Sequence, residues 1–256
     1  PIDLIDPEGA DSVDIAAMCA TAMISGEGDE KNRYWYQRAA QLLTGLILHV
    51  STNEDAGDRN FAAVRRLLAD LIGGLQSSRD GDSGSARSDL LRSPHPEARL
   101  AASILQSSAA EGLGSILSMT QDGVDFLRGA QVEAATARTS FELDAITRGD
   151  PLSLYIVLPP HLLESHGRLL RLWIMALLSL ITRRRGRPAR STLFVLDEAA
   201  QLGTLPQLRQ AITLLRGYGV QTWSFWQDAS QLRHLYPLDW ETMVNNCEVV
   251  QCFCAL

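Results

Sequence analysis

Residues 151–256 read as α/β with a parallel sheet, and the residues before them as all-α. Three observations carry this reading. The stretch LFVLDEAAQLG at 193–203 is an apolar run closed by two acids, which is how a buried parallel strand reaches a ligand-facing sheet edge. A helical stripe and a second apolar run follow it with short links. Before Asp150-Pro151, apolar residues recur at helical spacing, and after it they gather into continuous runs.

Taken in order, Asp11 and Asp14 mark a capped helix start, and Ile15, Met18, Cys19, Ala22 and Met23 form its apolar side. Tyr34, Trp35, Ala39, Leu42, Leu43, Leu46, Ile47 and Val50 make a wide stripe on a second helix. A third carries Phe61, Val64, Leu67, Leu68 and Leu71. SSRDGDSGSARSD, at 77–89, reads as a polar loop rich in Gly and Ser. Helices at about 94–110 and 112–128 follow, then short pieces up to Asp150-Pro151. The domain boundary is placed so that 1–148 is an all-α domain and 149–256 the sheet-bearing one. Ser153 to Leu158 reads as a buried strand stopped by Pro159-Pro160, and His161 to Arg184 as a long Leu-rich helix. Leu193 to Leu196 is the next strand. Leu205, Leu208, Ile212 and Leu215 define a helix that Gly217-Tyr218-Gly219 ends. Val220 to Trp226 is a further strand closed by Gln227, and a last apolar strand follows Asn245-Asn246.

A strand, helix and strand with short links form a parallel unit with a right-handed crossover. That geometry puts Asp197, Glu198 and Gln227 on one edge of the sheet. In phosphoryl transfer an acid serves Mg²⁺, and a second acid or an amide orients the attacking water.

Composition narrows the class. The 256 residues are 46% hydrophobic and 21% charged, ordinary for a globular protein. A net charge of −7 excludes a general polyanion binder. Cys19, Cys247, Cys252 and Cys254 lack C-x-x-C spacing and are expected to be reduced and mostly buried. The longest apolar stretch, Leu172 to Ile181, is too short to span a bilayer.

The chain resembles the TraG/TraD-type coupling proteins of type IV secretion and conjugation. The residues that match are LDEAAQLGTLPQL, LLRGYGV, WQDASQLRHLY and Asn245-Asn246, with LYIVLPP at 154–160 and YWYQRAAQLLTGLI at 34–47 upstream. The resemblance implies a RecA-like P-loop NTPase core, of which this chain carries the C-terminal half, with the all-α part as an insert domain. It implies a membrane-anchored homo-hexamer at the cytoplasmic face of the bacterial inner membrane, using ATP and Mg²⁺. Such a motor passes DNA, relaxase or relaxosome proteins, or effectors to the secretion channel. On this reading Asp197 holds Mg²⁺ through water, Glu198 polarises the attacking water, and Gln227 senses the γ-phosphate. Arg216, one helix length from that edge, acts in trans on the next subunit's nucleotide. No G-x-x-x-x-G-K-[ST] is present. The P-loop, the membrane anchor and further strands are therefore expected outside these residues, and the chain alone is expected to be inactive. Two alternatives stand beside this one. One is a non-catalytic helical docking module for relaxosome or effector proteins. The other is an FtsK/HerA-like DNA translocase, against which the helical insert and the LPP and RGYG segments count.

Other features weigh less. Gly81-Asp82-Ser83-Gly84 echoes the surroundings of a serine-protease nucleophile but lacks a matching His motif, and reads as a loop. Asp80 and Asp82 begin, but do not continue, a calcium loop. The five histidines show no metal spacing. Trp223 and Trp226 read as packed in and around the sheet. Trp35 is either core or a contact with substrate or a neighbouring domain. Arg183, Arg184 and Arg185 read as a solvated helix end or as a loop facing substrate, DNA or lipid.

Overall fold

The structure, a computed structural model, describes residues 2–24, 32–53, 55–77, 85–107 and 110–253. It forms two compact units, Pro1–Phe141 and Glu142–Leu256.

The first unit is helical: α1 (Ser12–Met23), α2 (Arg33–Ser51), α3 (Phe61–Ser77), α4 (Ser85–Leu91), α5 (Pro96–Ser107), α6 (Ala110–Asp125) and α7 (Ala130–Thr136). Its centre is α2, where Leu42, Leu43, Leu46, Ile47 and Leu48 are fully buried. Burying each such side chain stabilises by roughly 1.5–3 kcal/mol. Helices α1, α5 and α6 pack around it. Gly45 lets α5 approach closely, because a Cβ there would collide with the Ala101 side chain. The Trp35 ring lies over Gly112 of α6, 3.0 Å from where a Cβ would stand, and meets Tyr34 edge to face.

Helix α4 corrects the expectation of a loop across 77–89. Ala86 and Leu90, four apart, share a face and are buried, while Asp89 is exposed and Arg87 and Ser88 are half-buried. Gly81-Asp82-Ser83-Gly84 and Asp80 lie outside the described residues. At the N-cap of α1, Asp11 makes no side-chain cap bond.

The second unit contains α8 (Leu143–Arg148), α9 (Leu163–Thr182), β1 (Thr192–Leu196), α10 (Pro206–Thr213), β2 (Val220–Ser224), α11 (Ala229–Leu235) and α12 (Trp240–Asn245). Helix α8 belongs to this unit, so the division falls a few residues before the boundary expected at 148. Strands β1 and β2 pair in parallel, Thr192 opposite Val220 and Leu196 opposite Ser224. That is the expected strand–helix–strand unit.

Among the described residues the sheet has two strands, not the larger set expected from the apolar runs. Residues 152–158 have no ladder partner, and Tyr155 and Val157 are exposed. Val249, Val250 and Phe253 are likewise exposed and unpaired. A strand is made by its neighbour's hydrogen bonds, so an apolar run alone does not create one. Strand β1 buries Phe194 and Leu196 but exposes Leu193 and Val195, so it is covered on one face, not two. Trp223 is also half exposed, stacked on Phe225, while Trp226 meets Tyr236 edge to face.

Of the cysteines, Cys19 is buried but Cys247 and Cys252 are exposed, against the expectation of burial; Cys254 is outside the described residues. The exposed pair lies in and beside the unpaired tail.

Candidate functional site

Both strands deliver polar residues to the sheet's carboxyl edge. Strand β1 ends at Leu196, so Asp197 and Glu198 are the next residues out. Strand β2 ends at Ser224, followed by Phe225, Trp226 and Gln227. The ladder continues past the strands: Phe225 N–H donates to the Leu196 carbonyl at 3.0 Å, and Ala199 N–H to the Phe225 carbonyl at 2.9 Å. The acids and Gln227 are thereby tied together by backbone. The Gln227 side-chain amide donates to a Glu198 carboxylate oxygen at 3.4 Å, and both residues are exposed.

Glu198 has φ 53 and ψ 56, in the left-handed region. Among the described residues it is the one non-glycine at positive φ. A β-carbon there meets the backbone, and such conformations persist where the surrounding structure imposes them, often at functional sites. Here the strand ladder on one side and the 3₁₀ turn Ala199–Leu202 on the other impose it. Nothing in the sequence signals this, because glycine is what normally marks such a position.

Gln227 is held from behind. Its N–H donates to Gln231 Oε1 at 3.0 Å, and Gln231 Nε2 donates to Gln227 Oε1 at 3.4 Å. Asp228 caps α11, accepting from the N–H groups of Ser230 and Gln231. Those bonds, that of the Ser230 hydroxyl first, keep its carboxyl below the usual carboxylate range. In the sequence, Gln231 is signalled only by the D-x-S-Q spacing after Gln227. Beyond the turn that follows Glu198, Leu205 N–H donates to the Tyr236 hydroxyl at 3.0 Å.

Mg²⁺ takes one or two carboxylates and fills its remaining positions with water and phosphate. Asp197 and Glu198, exposed at a sheet edge, fit that donor set. Among the described residues no group of three His, Cys, Asp or Glu gathers as an all-protein metal site.

Arg216 lies elsewhere. It follows α10, in the 3₁₀ turn Leu215–Tyr218 that leads into the start of β2, so it stands at the amino edge. Five residues of strand, roughly 17 Å at ~3.3 Å each, separate the two edges. Its guanidinium is exposed and within 3.6 Å of Glu248, a surface pair that contributes ~0–1 kcal/mol. Of the basic run, Arg183 and Arg185 are exposed, whereas Arg184 is buried at 6% exposure and bonded to backbone carbonyls. Arg184 therefore does not present its guanidinium to a partner. Trp35, the remaining candidate, is partly buried in the helical unit.

The sequence profile of the family described as type IV secretory system conjugative DNA transfer matches residues 1–256. A conjugal transfer protein TraG of Escherichia coli is 28% identical over 90% of this chain and 38% of its own length. The type IV secretion system-coupling protein VirD4 of Bartonella quintana is 25% identical over 78% of this chain and 30% of its own. Among solved structures, the bacterial conjugative coupling protein TrwBdeltaN70 superposes with a TM-score of 0.66 at 16% identity, over 91% of this chain and 51% of that one. Plasmid coupling protein TrwB in complex with ADP and Mg²⁺ gives a TM-score of 0.67 at 16% identity, over 91% and 52%. The likeness to these structures shows a shared fold, an α/β core with an all-α domain. The chain spans well under half the length of the curated relatives it matches.

Proposed function

This chain belongs to the type IV secretory system conjugative DNA transfer family, and we propose that the intact protein is a homo-hexameric, ATP-hydrolysing coupling motor to which these residues contribute two parts. Residues 1–141 are the all-α insert. Residues 142–256, α8 included, are the second half of the nucleotide-binding core. The motor recruits DNA with its relaxase and relaxosome, or effector proteins, and hands them to the type IV secretion channel from the cytoplasmic face of the inner membrane. Among the described residues no helix is long and apolar enough to cross a membrane, so anchorage is assigned to the remainder of the protein.

Asp197 would hold Mg²⁺, which would neutralise phosphate charge when bound. Glu198 orients and polarises the water that attacks the γ-phosphate. Gln227, donating toward Glu198, is placed to register whether a γ-phosphate is present. Arg216 stabilises developing charge on the adjacent subunit's nucleotide, since its own site is the full length of a strand away. The phosphate cradle and its Lys come from outside these residues.

The observation that carries this reading is the strained Glu198 backbone at the carboxyl edge, with Gln227 across from it. Family membership favours it over an FtsK/HerA-like translocase. The test is Glu198→Gln in the intact protein: nucleotide affinity stays within a few-fold, while turnover falls by ~10²–10⁴. Unimpaired turnover would move the water-orienting role to another residue.

A further inference from the structure

The basic run after α9 contains one arginine that does not face solvent. Arg184 Nε donates to the Thr147 carbonyl at 3.2 Å, and Nη1 to the Tyr218 carbonyl at 2.8 Å. Nη2 donates to the Ile146 carbonyl at 2.7 Å and to Thr192 Oγ1 at 2.8 Å. Its planar fork thus meets four acceptors from three separate pieces of chain.

The acceptors are not arbitrary. Ile146 and Thr147 belong to the last turn of α8, where carbonyls outnumber intrahelical donors; the capping Gly149 N–H reaches the Ile146 carbonyl at 3.2 Å, and Arg184 adds a donor to it and to that of Thr147. Tyr218 ends the 3₁₀ turn Leu215–Tyr218: the capping Gly219 N–H serves the Leu215 and Arg216 carbonyls, and the Arg184 guanidinium serves that of Tyr218. Each of these two helices stops at a left-handed glycine, Gly149 at φ 75 and Gly219 at φ 74. Pro188 packs against both glycines: a Cβ would stand 2.5 Å from Pro188 Cβ at Gly149 and 2.9 Å from Pro188 Cδ at Gly219. Thr192, the first residue of β1, closes the figure, its N–H donating to the Gly219 carbonyl at 2.8 Å. One guanidinium therefore caps two helix ends and bolts them to the start of β1. Burial pushes its pKa down from the ordinary arginine value, a cost that the carbonyl bonds offset.

The turn so held is the one that carries Arg216. We infer that Arg184 is a positioning residue for Arg216, fixing the Leu215–Tyr218 turn against α8 and β1 so that the Arg216 guanidinium is presented outward in one geometry. The inference rests on the reading of Arg216 as a group that acts in trans.

Arg184→Lys is the primary variant, because an ammonium keeps the charge but cannot span four acceptors. Thr192→Val, which deletes one acceptor, is the milder second variant should the first fail to fold. Hydrogen exchange on this chain gives one readout. The Gly219 amide, bonded to the Arg216 carbonyl at 3.0 Å, is expected to exchange at least about tenfold faster in Arg184→Lys, the loss of one or two net hydrogen bonds. Exchange deep in α9 is expected to change less. Unchanged Gly219 exchange in a folded variant overturns the inference.

Turnover of the intact protein gives the other readout. Arg184→Lys is expected to lower kcat with the nucleotide KM unchanged, and Arg184→Lys with Arg216→Ala to be no slower than Arg216→Ala alone. Losses that multiply would show that Arg184 acts by another route, and overturn the inference while sparing the role of Arg216. If Arg216→Ala alone turns over like the unmodified protein, the reading of Arg216 fails and the positioning role fails with it. The single variant tells these two failures apart.

Discussion

Replacing Glu198 by glycine should make this protein more stable than replacing it by alanine, which reverses the usual order. At φ 53 a residue with a β-carbon is in the left-handed region, which costs roughly 1–2 kcal/mol for an L-residue. Glycine escapes that cost and loses about 0.5–1 kcal/mol more chain entropy on folding. At mid-range values the difference leaves Glu198→Gly ahead of Glu198→Ala by about 0.75 kcal/mol. For a domain of this size that is roughly 1–4 °C in Tm. Both variants delete the same exposed carboxylate, which accepts from Gln227 at 3.4 Å, so the side-chain loss cancels in the comparison. Urea unfolding of the two variants at a shared m-value measures the difference. An alanine variant as stable as the glycine variant, or more so, would refute the claim that the backbone is strained at Glu198. It would also remove the observation on which the site was identified.

Gly45→Ala should destabilise the helical unit by roughly 1–2 kcal/mol, since overpacking between α2 and α5 exceeds the gain in helix propensity. Thermal melting that matches or exceeds the parent would mean that the two helices separate freely. Burial pushes the Cys19 thiol up to about 12 from 9.0. A raised folded-state pKa contributes stability that is present below pH 9.0 and lost as pH rises toward 12. The alkaline fall in Tm should therefore be steeper in the parent than in Cys19→Ala; parallel curves would contradict it. Without reductant or denaturant, a thiol reagent should modify Cys247 and Cys252 and spare Cys19, which becomes reactive only on unfolding. Peptide mapping that finds Cys19 labelled in the folded protein would contradict its burial.

The parallel pair β1–β2 with α10 between was legible because its signals are local: two apolar runs, a helical stripe and a closing glycine. The stripes of α2 and α9 are legible in the same way. Residues 152–158 and 249–253 are not, because strand formation there depends on a partner that local sequence does not name. Nor is α4 at 85–91, where a polar composition hides the Ala86 and Leu90 face. At the site, the carboxyl-edge placement of Glu198 and Gln227 followed from topology alone. The left-handed backbone at Glu198 and the support from Gln231 did not, because both depend on how the chain turns after the strand. Arg184 was misread for a related reason. An arginine in a basic run looks solvated until the helix ends that need its donors are folded around it.

If Glu198 at this edge drives substrate transfer, DNA transfer itself depends on it. In a conjugation system whose intact coupling protein carries Glu198→Gln, with protein level matched to the parent, transfer frequency should fall at least about 10²-fold, the size of a lost water-orienting group. Transfer at the parental frequency would contradict the account.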